Sequence, residues 1–439
     1  MRKRKVLFVA HNHPAVRPGG AEGYALELYE RMRDSDDWEP LFLARTGPPV
    51  STVERYHEGT LFTAVNGDPG QYFFYTDVSD YDWLYGRSPR KETLTRFFAD
   101  FLLAHRPDVV HFQHTNFLGY DAIRVVRNTL PDVPIVYTLH EYLPICHRNG
   151  QLVRTRENEL CVDSSPRRCH ECFPEISPQS FFLRKRFAQS HLALVDHFIA
   201  PSRFLLERFV DWGIPRSKIS FEPYGRLPTQ PVAATPYRPR TRFGFFGQFI
   251  LYKGVTVLLR AFEQLDDEVA VTLRLHGANL ELQPHEFRDE FARLVAKTRD
   301  RVTIVGRYEQ HELPKLMEAV DWVVVPSIWW ENAPLVIQEA FAHGRPVICS
   351  DVGGMAEAVI DGVNGLHFRT GDAASLARTV RRALTTPALW DTLRAGIPAV
   401  YAMDEHLSML RDLYESVTAK RRSTRVRARR QKEQELVDA

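Results

Sequence analysis

The feature that most restricts how this chain can fold is a sustained alternation of short β-rich runs with stretches of helical periodicity. Such alternation argues for parallel sheets built from strand–helix–strand units. The first half is expected to hold strands over residues 5–10, 40–44, 109–113, 135–140 and 197–200, and the second over 242–247, 271–276, 302–305, 322–325 and 347–350. Between the two series, residues 229–240 are proline-rich and lack any period, as a linker does. The expected architecture is therefore α/β: two Rossmann-like doubly wound domains, 1–228 and 241–400, facing across a cleft. A further helix, expected over 401–418 with an apolar stripe of Leu407, Leu410, Leu413 and Tyr414, would pack back on the first domain.

Charge is unevenly spread. The net charge of the 439 residues is +2, yet residues 420–432 carry eight Lys or Arg and no acid, and residues 1–419 carry 49 bases against 52 acids. The tail, 419–439, is expected to be a disordered basic extension, with contact to anionic lipid headgroups as its functional alternative. Nucleic-acid binding is not supported, because the basic run has no interleaved aromatics and the body has no basic surplus. The apolar run 6–10 is too short for a signal-peptide core, and no run of about eighteen apolar residues occurs. A cytoplasmic location is expected, with peripheral contact at the inner face of the membrane through the tail.

Ligands of open α/β sheets sit beyond the carboxyl ends of the strands. There the sequence places Gly19-Gly20 after the first strand and His140-Glu141 after the fourth. In the second half it places Gly247-Gln248 running to Lys253-Gly254, Gly353-Gly354 ahead of a short helix, and a turn from Asp361 to Gly365. Two carboxylates stand eight positions apart, Glu331 and Glu339, around Pro334, which suits a first helical turn. Glu331 is thus expected in a loop and Glu339 inside a helix beside Leu335, Val336 and Ala342. A carboxylate on an apolar face needs a polar partner, and polyol hydroxyls suit it. Each signal has a plain alternative: an ordinary turn for Gly19-Gly20, a structural role for His140, a solvated Lys253, solvated glutamates. Taken in order at strand ends, they describe one anion-binding cleft.

The set Gly247-Gln248-x4-Lys253-Gly254, Pro326-Ser327 with the Glu331-x7-Glu339 pair, Ala342-x-Gly344-x-Pro346-Val347, Gly353-Gly354-x-x-Glu357 and Asn364-Gly365 resembles the C-terminal half of GT4-type retaining glycosyltransferases of the GT-B fold. Gly19-Gly20-x-Glu22 and His140 match the other half, so the resemblance runs to about residue 418. It implies a nucleotide-diphosphate sugar donor (UDP-, GDP- or ADP-linked) and a hydroxyl acceptor, possibly a lipid-linked glycan, in polysaccharide or glycolipid synthesis. It implies Glu339 on the ribose hydroxyls and Glu331 on the sugar. Lys253 with the backbone N–H groups of Leu335 and Val336 would meet the diphosphate, Gly19 and Gly20 would approach it, His140 would touch the sugar near its anomeric carbon, and Tyr308 would lie against the base. His140, Glu331 and Lys253 are the catalytic candidates, and catalysis requires no cofactor. Two departures matter: Gln248 stands where many members carry Arg, leaving much of the charge to Lys253, and Glu141 stands where Asp commonly follows the histidine. A GT-B sugar-nucleotide epimerase and a non-catalytic nucleotide-sugar-binding protein are the alternatives.

Four of the five cysteines, Cys146, Cys161, Cys169 and Cys172, fall in an insertion of about 141–180. Their grouping suits a structural zinc site, with free thiols as the alternative and His147 or His170 as substitute ligands. Similar cysteine-bearing insertions occur in a subset of the family. Cys349, inside a strand, is expected to be core.

Overall fold

The computed structural model describes residues 2–17, 19–47, 62–65, 67–76, 81–87, 92, 94–156, 158–229, 231–232, 238–266 and 270–437, with side chains left undescribed at 94 and from 424 onward. Residues 230 and 233–237 of the expected linker and 438–439 of the tail lie outside the described residues.

The chain divides into two compact units, the first Met1–Pro201, Leu205–Gly225 and Met403–Ala439, the second Ser202–Phe204 and Arg226–Ala402. Unit 1 is built on eight strands: β1 Arg4–Ala10, β2 Trp38–Thr46, β3 Phe62–Val65, β4 Asp68–Tyr75, β5 Val109–Phe112, β6 Ile135–Thr138, β7 His197–Ala200 and β8 Ile219–Phe221. Their order is β3-β4-β2-β1-β5-β6-β7-β8, parallel throughout except for the antiparallel pair β3–β4 at one edge. β1 pairs with β2 on one side and β5 on the other, setting Val6 against Pro40 and Val109. Val6, Leu7, Phe8 and Val9 are fully buried, as strands covered by helices on both faces require.

Unit 2 has six parallel strands, β9 Arg242–Phe246, β10 Thr272–His276, β11 Val302–Gly306, β12 Trp322–Val325, β13 Val347–Ser350 and β14 Gly365–Phe368, in the order β11-β10-β9-β12-β13-β14. The strand order reverses at β9 here and at β1 in unit 1, so the loops after those strands diverge and leave a crevice at the carboxyl ends. The two sheets are thus Rossmann-like. Four strands, β3, β4, β8 and β14, go beyond the ten expected from periodicity. They are three, four or eight residues long and lie at or next to sheet edges, where alternation in sequence is weakest.

The last helix, Met403–Val437, belongs to unit 1. Leu407, Leu410, Tyr414 and Val417 form its buried stripe, and the Tyr414 hydroxyl meets His111 Nδ1 at 2.7 Å. Arg421 reaches Asp196 at 2.6 Å, and Asp196 also takes Arg127. The helix extends through Val437, over most of the segment expected as a disordered basic extension. From residue 419 on the chain is mostly Ala, Arg, Lys, Gln and Glu, strong helix formers with no Gly or Pro to stop them.

Candidate functional site

In unit 2, the loop after β9 turns through a short 3-10 segment, Leu251–Lys253, into the helix Val255–Glu263. Gly254 joins them at φ 69°, and a Cβ there would lie 1.8 Å from Pro326 O. Only glycine lets this loop close on the loop that follows β12. Ile328 N donates to Tyr252 O at 2.9 Å, and Lys253 Nζ reaches Glu331 Oε1 at 2.6 Å.

Glu331 is 6% exposed and also accepts from Ser327 Oγ at 2.7 Å and Trp329 Nε1 at 2.8 Å. Burial alone would push its carboxyl up; the charge and hydrogen bond of Lys253, with Ser327 and Trp329, outweigh it and hold the group below the usual carboxylate range. Glu331 is therefore an anion at neutral pH. Its backbone is fixed too: Gly354 N donates to Glu331 O at 2.8 Å, and a Cβ on Gly354 would sit 1.4 Å from Asn332 O. The Gly353-Gly354 pair thus serves close packing of the helix Gly353–Ala358 on this loop. Glu357, the last residue of that motif, accepts from the backbone N–H groups of Arg203 and Phe204 at 2.8 and 2.9 Å.

Glu339 lies in the helix Leu335–Ala342. Its Oε1 accepts from Arg226 Nη2 at 3.0 Å and Gln310 Nε2 at 3.3 Å. Arg226 stands outside every motif quoted above and was not among the expected site residues; no local signal points to it, because it is more than a hundred positions from its partner. Pro334 caps the helix without a side-chain hydrogen bond; Ile337 N donates to Pro334 O at 3.0 Å, and the N–H groups of Leu335 and Val336 ahead of it have no partner within the helix. Tyr308 packs edge-on against Phe246 and His276, and burial with the Glu339 carboxylate pushes its phenol well up. Gln248 is exposed.

In unit 1, Gly19 in extended conformation precedes the helix Gly20–Met32. Glu22 in its first turn meets His11 Nε2 at 3.1 Å. The His11 ring lies 4.3 Å from that of His114, and His114 Nε2 lies 3.3 Å from Glu141 Oε1. His11 and His114 are site residues that the motifs do not contain; both follow the carboxyl ends of strands, which is the signal that points to them. Burial, then the His114 charge, lowers the His11 pKa. Glu141, where Asp commonly stands, uses its length to span from His114 to Leu143 N.

His140 is held on both nitrogens, Nδ1 by the Tyr224 hydroxyl at 2.6 Å and Nε2 by Gln113 Oε1 at 3.0 Å. With Gln113 presenting its carbonyl, Nε2 donates and Nδ1 accepts from Tyr224. Burial, then His114, His11 and His111, pushes its pKa far down, so the ring is neutral at pH 7.

The four insertion cysteines are free thiols that line one void of about 30 Å³. Cys161 Sγ donates to Asp163 O at 3.0 Å, and burial pushes the Cys169 thiol up to about 11. Among the described residues no three such side chains are arranged to hold a metal ion. Cys349 is buried in β13.

Two parallel Rossmann-like sheets, each with its glycine loops and charged side chains at the carboxyl ends of its strands, define a protein of the GT-B type. A family model described as Glycosyltransferase Family 4 matches residues 18–225, and one described as Glycosyl transferases group 1 matches residues 240–386. A D-inositol 3-phosphate glycosyltransferase of Xylanimonas cellulosilytica is 27% identical over 95% of this chain and 98% of its own. A glycogen synthase of Mycobacterium tuberculosis is 26% identical over 88% of this chain and 87% of its own. In fold, a sucrose-phosphate synthase of Thermosynechococcus elongatus matches with TM-score 0.70 at 20% identity, covering 95% of this chain and all of that one. Anabaena HepE in complex with UDP-glucose matches with TM-score 0.64 at 18% identity, over 94% of this chain and 99% of that one. The chain belongs to the GT4 glycosyltransferases.

Proposed function

We propose that the enzyme moves a hexose from a nucleotide-diphosphate sugar to a hydroxyl acceptor with retention of anomeric configuration, in polysaccharide or glycolipid synthesis. The observation that carries this reading is the Lys253–Glu331 pair beside the uncapped start of the helix Leu335–Ala342. An ammonium has three donors, and one is spent on Glu331, so Lys253 keeps two for a diphosphate. The first-turn N–H groups of Leu335 and Val336 add partial positive charge for the same anion. Donors fixed before the reaction stabilise the leaving diphosphate as its bond to the anomeric carbon breaks, and the leaving oxygen takes the acceptor's proton on the same face.

In this reading Glu339 receives the ribose hydroxyls, displacing or sharing Arg226, while Glu331 orients the sugar and Tyr308 lies against the base. Gly19, Gly20 and neutral His140 are the candidates that unit 1 carries, and exposed Gln248 contributes no charge. The HepE complex with UDP-glucose supports placing UDP-sugars first among candidate donors. The void shared by Cys146, Cys161, Cys169 and Cys172 supports a structural zinc, for which the thiols would have to deprotonate and close on the ion. No helix among the described residues is long and apolar enough to cross a membrane. Contact with anionic headgroups is assigned to the basic end of the last helix.

The test is a thermal-shift panel of UDP-, GDP- and ADP-sugars followed by an acceptor assay. Nucleotide diphosphate released only when acceptor is present supports transfer. Interconversion of the sugar without acceptor would instead mark an epimerase, and donor binding without turnover a binding protein.

A further inference from the structure

Unit 1 contains a cavity that the strand-end loops do not use. It has a volume of about 370 Å³ and lies between the loop after His140 and the helices Pro166–Cys172 and Pro178–Leu192. That size falls within the range of small-molecule sites, about 300–1,000 Å³. Arg184, Lys185, Arg186 and His147 line it, and no Asp or Glu does.

Arg184 is 6% exposed. Its Nη1 donates to Pro144 O at 2.8 Å and its Nη2 to Leu143 O, while its Nε–H is buried without a partner. Two more atoms of lining residues, His147 Nδ1 and Ser164 Oγ, are buried and unpartnered as well. His147 and Ser164 also line the neighbouring void of the cysteines, so the signal that belongs to this cavity is its charge. Charge gives the occupant's sign. None of Arg184, Lys185 and Arg186 forms an ion pair among the described residues; Lys185 and Arg186 rest over the rings of Trp212 and Phe182, which leaves their charges uncompensated. The carboxylates that act on His147 are those of Glu175 and Asp82, and neither lines the cavity. Phe182, which lines the cavity, is about half exposed, at 51%.

We propose that this cavity binds a phosphate-bearing group, with Arg184, Lys185 and Arg186 as its cations. Several donors converging with more than one positive charge suit a dianion with multiple acceptor oxygens, and the remaining volume accommodates the moiety that carries it. Arg184 also fixes the carbonyls of the segment just past His140, so the occupant borders the chain assigned to the transferred sugar. Assignment of the phosphate to the acceptor rests on the transfer reading.

The test uses the full-length Lys253→Ala protein, so that the donor site does not compete for the probe. Inorganic phosphate titrated calorimetrically should bind saturably, and Lys185→Gln with Arg186→Gln, both away from the packed core, should weaken it at least about tenfold at unchanged far-UV circular dichroism. A second arm measures flotation of the same proteins with phosphatidylcholine vesicles containing phosphatidic acid. Loss in both arms assigns the phosphate to a lipid headgroup; loss in the calorimetric arm alone assigns it to a soluble phosphate ester. Phosphate binding that is absent, or that is unchanged by the double substitution, overturns the proposal. Neither arm needs turnover, so failure here leaves the transfer reading standing, and an enzyme inactive on every donor leaves this site standing.

Discussion

Replacing Lys253 by Met strips the paired cation from a carboxylate that the loop after β12 has buried. Glu331 would keep Ser327 Oγ and Trp329 Nε1 as donors but would carry its charge uncompensated at 6% exposure. Breaking a buried pair from one side costs about 3–5 kcal/mol. The Lys253 side chain is 28% exposed, so water already shares the interaction, and about 2–3 kcal/mol is the expected loss. At roughly 2–4 °C per kcal/mol for a unit of this size, the calorimetric transition of unit 2 should fall by about 4–12 °C at pH 7. Adding Glu331→Gln removes the orphaned charge, and the double variant should recover most of that shift, a coupling of about 1–3 kcal/mol.

The pH dependence has a definite sign. The Glu331 pKa is depressed in the folded state, so its stabilisation is present above the unfolded value near 4.5 and is lost as pH falls through the lower folded value. Without Lys253 burial dominates and the folded value rises, so the deficit of Lys253→Met should shrink as pH drops toward 4.5. Turnover at saturating donor should fall about 10²–10³-fold, the usual consequence of losing one fixed donor to a developing anion. Additive melting shifts in the cycle would refute the electrostatic account, and near-full turnover of Lys253→Met would refute the assignment of Lys253 to the diphosphate.

Three further outcomes are expected. Glu339→Ala should weaken nucleotide-diphosphate binding about 10–100-fold by calorimetry, the worth of charged hydrogen bonds to ribose hydroxyls, while Arg226→Ala should change it by less than tenfold. His111, fully buried between Thr138 and Tyr414, has its pKa lowered to about 3 by burial and then by His406, so its contribution is complete above the unfolded value near 6.5 and falls away below it. Acidification from pH 6.5 to 5.5 should therefore cost roughly 1 kcal/mol through this residue, and His111→Gln should flatten the melting profile in that window. Metal analysis of purified protein should find zinc near one equivalent per chain, lost on replacing Cys169 and Cys172 by Ser; none found would remove the zinc proposal.

Much of the candidate site in unit 2 could be read in the sequence because its parts are local. Lys253, Gly254, Glu331, Glu339 and Gly353-Gly354 each lie in the loop or first turns that follow a strand, and spacing along one strand–helix unit determines where such residues project. The alternation that gives two parallel sheets is of the same kind, since burial of both faces demands continuous apolar strands whatever their partners. Strand order, by contrast, depends on which edges meet, and the strands at or next to the edges, β3, β4, β8 and β14, carry too little pattern to be found. Arg226 on Glu339, His11 against His114, and the Arg184 clamp on the segment after His140 join residues tens to more than a hundred positions apart. Sequence alone settled that Glu339 needs a polar partner, because an apolar helix face cannot leave a carboxylate bare; only the tertiary structure decided that the partner is Arg226, because long-range contacts are fixed by packing rather than by period.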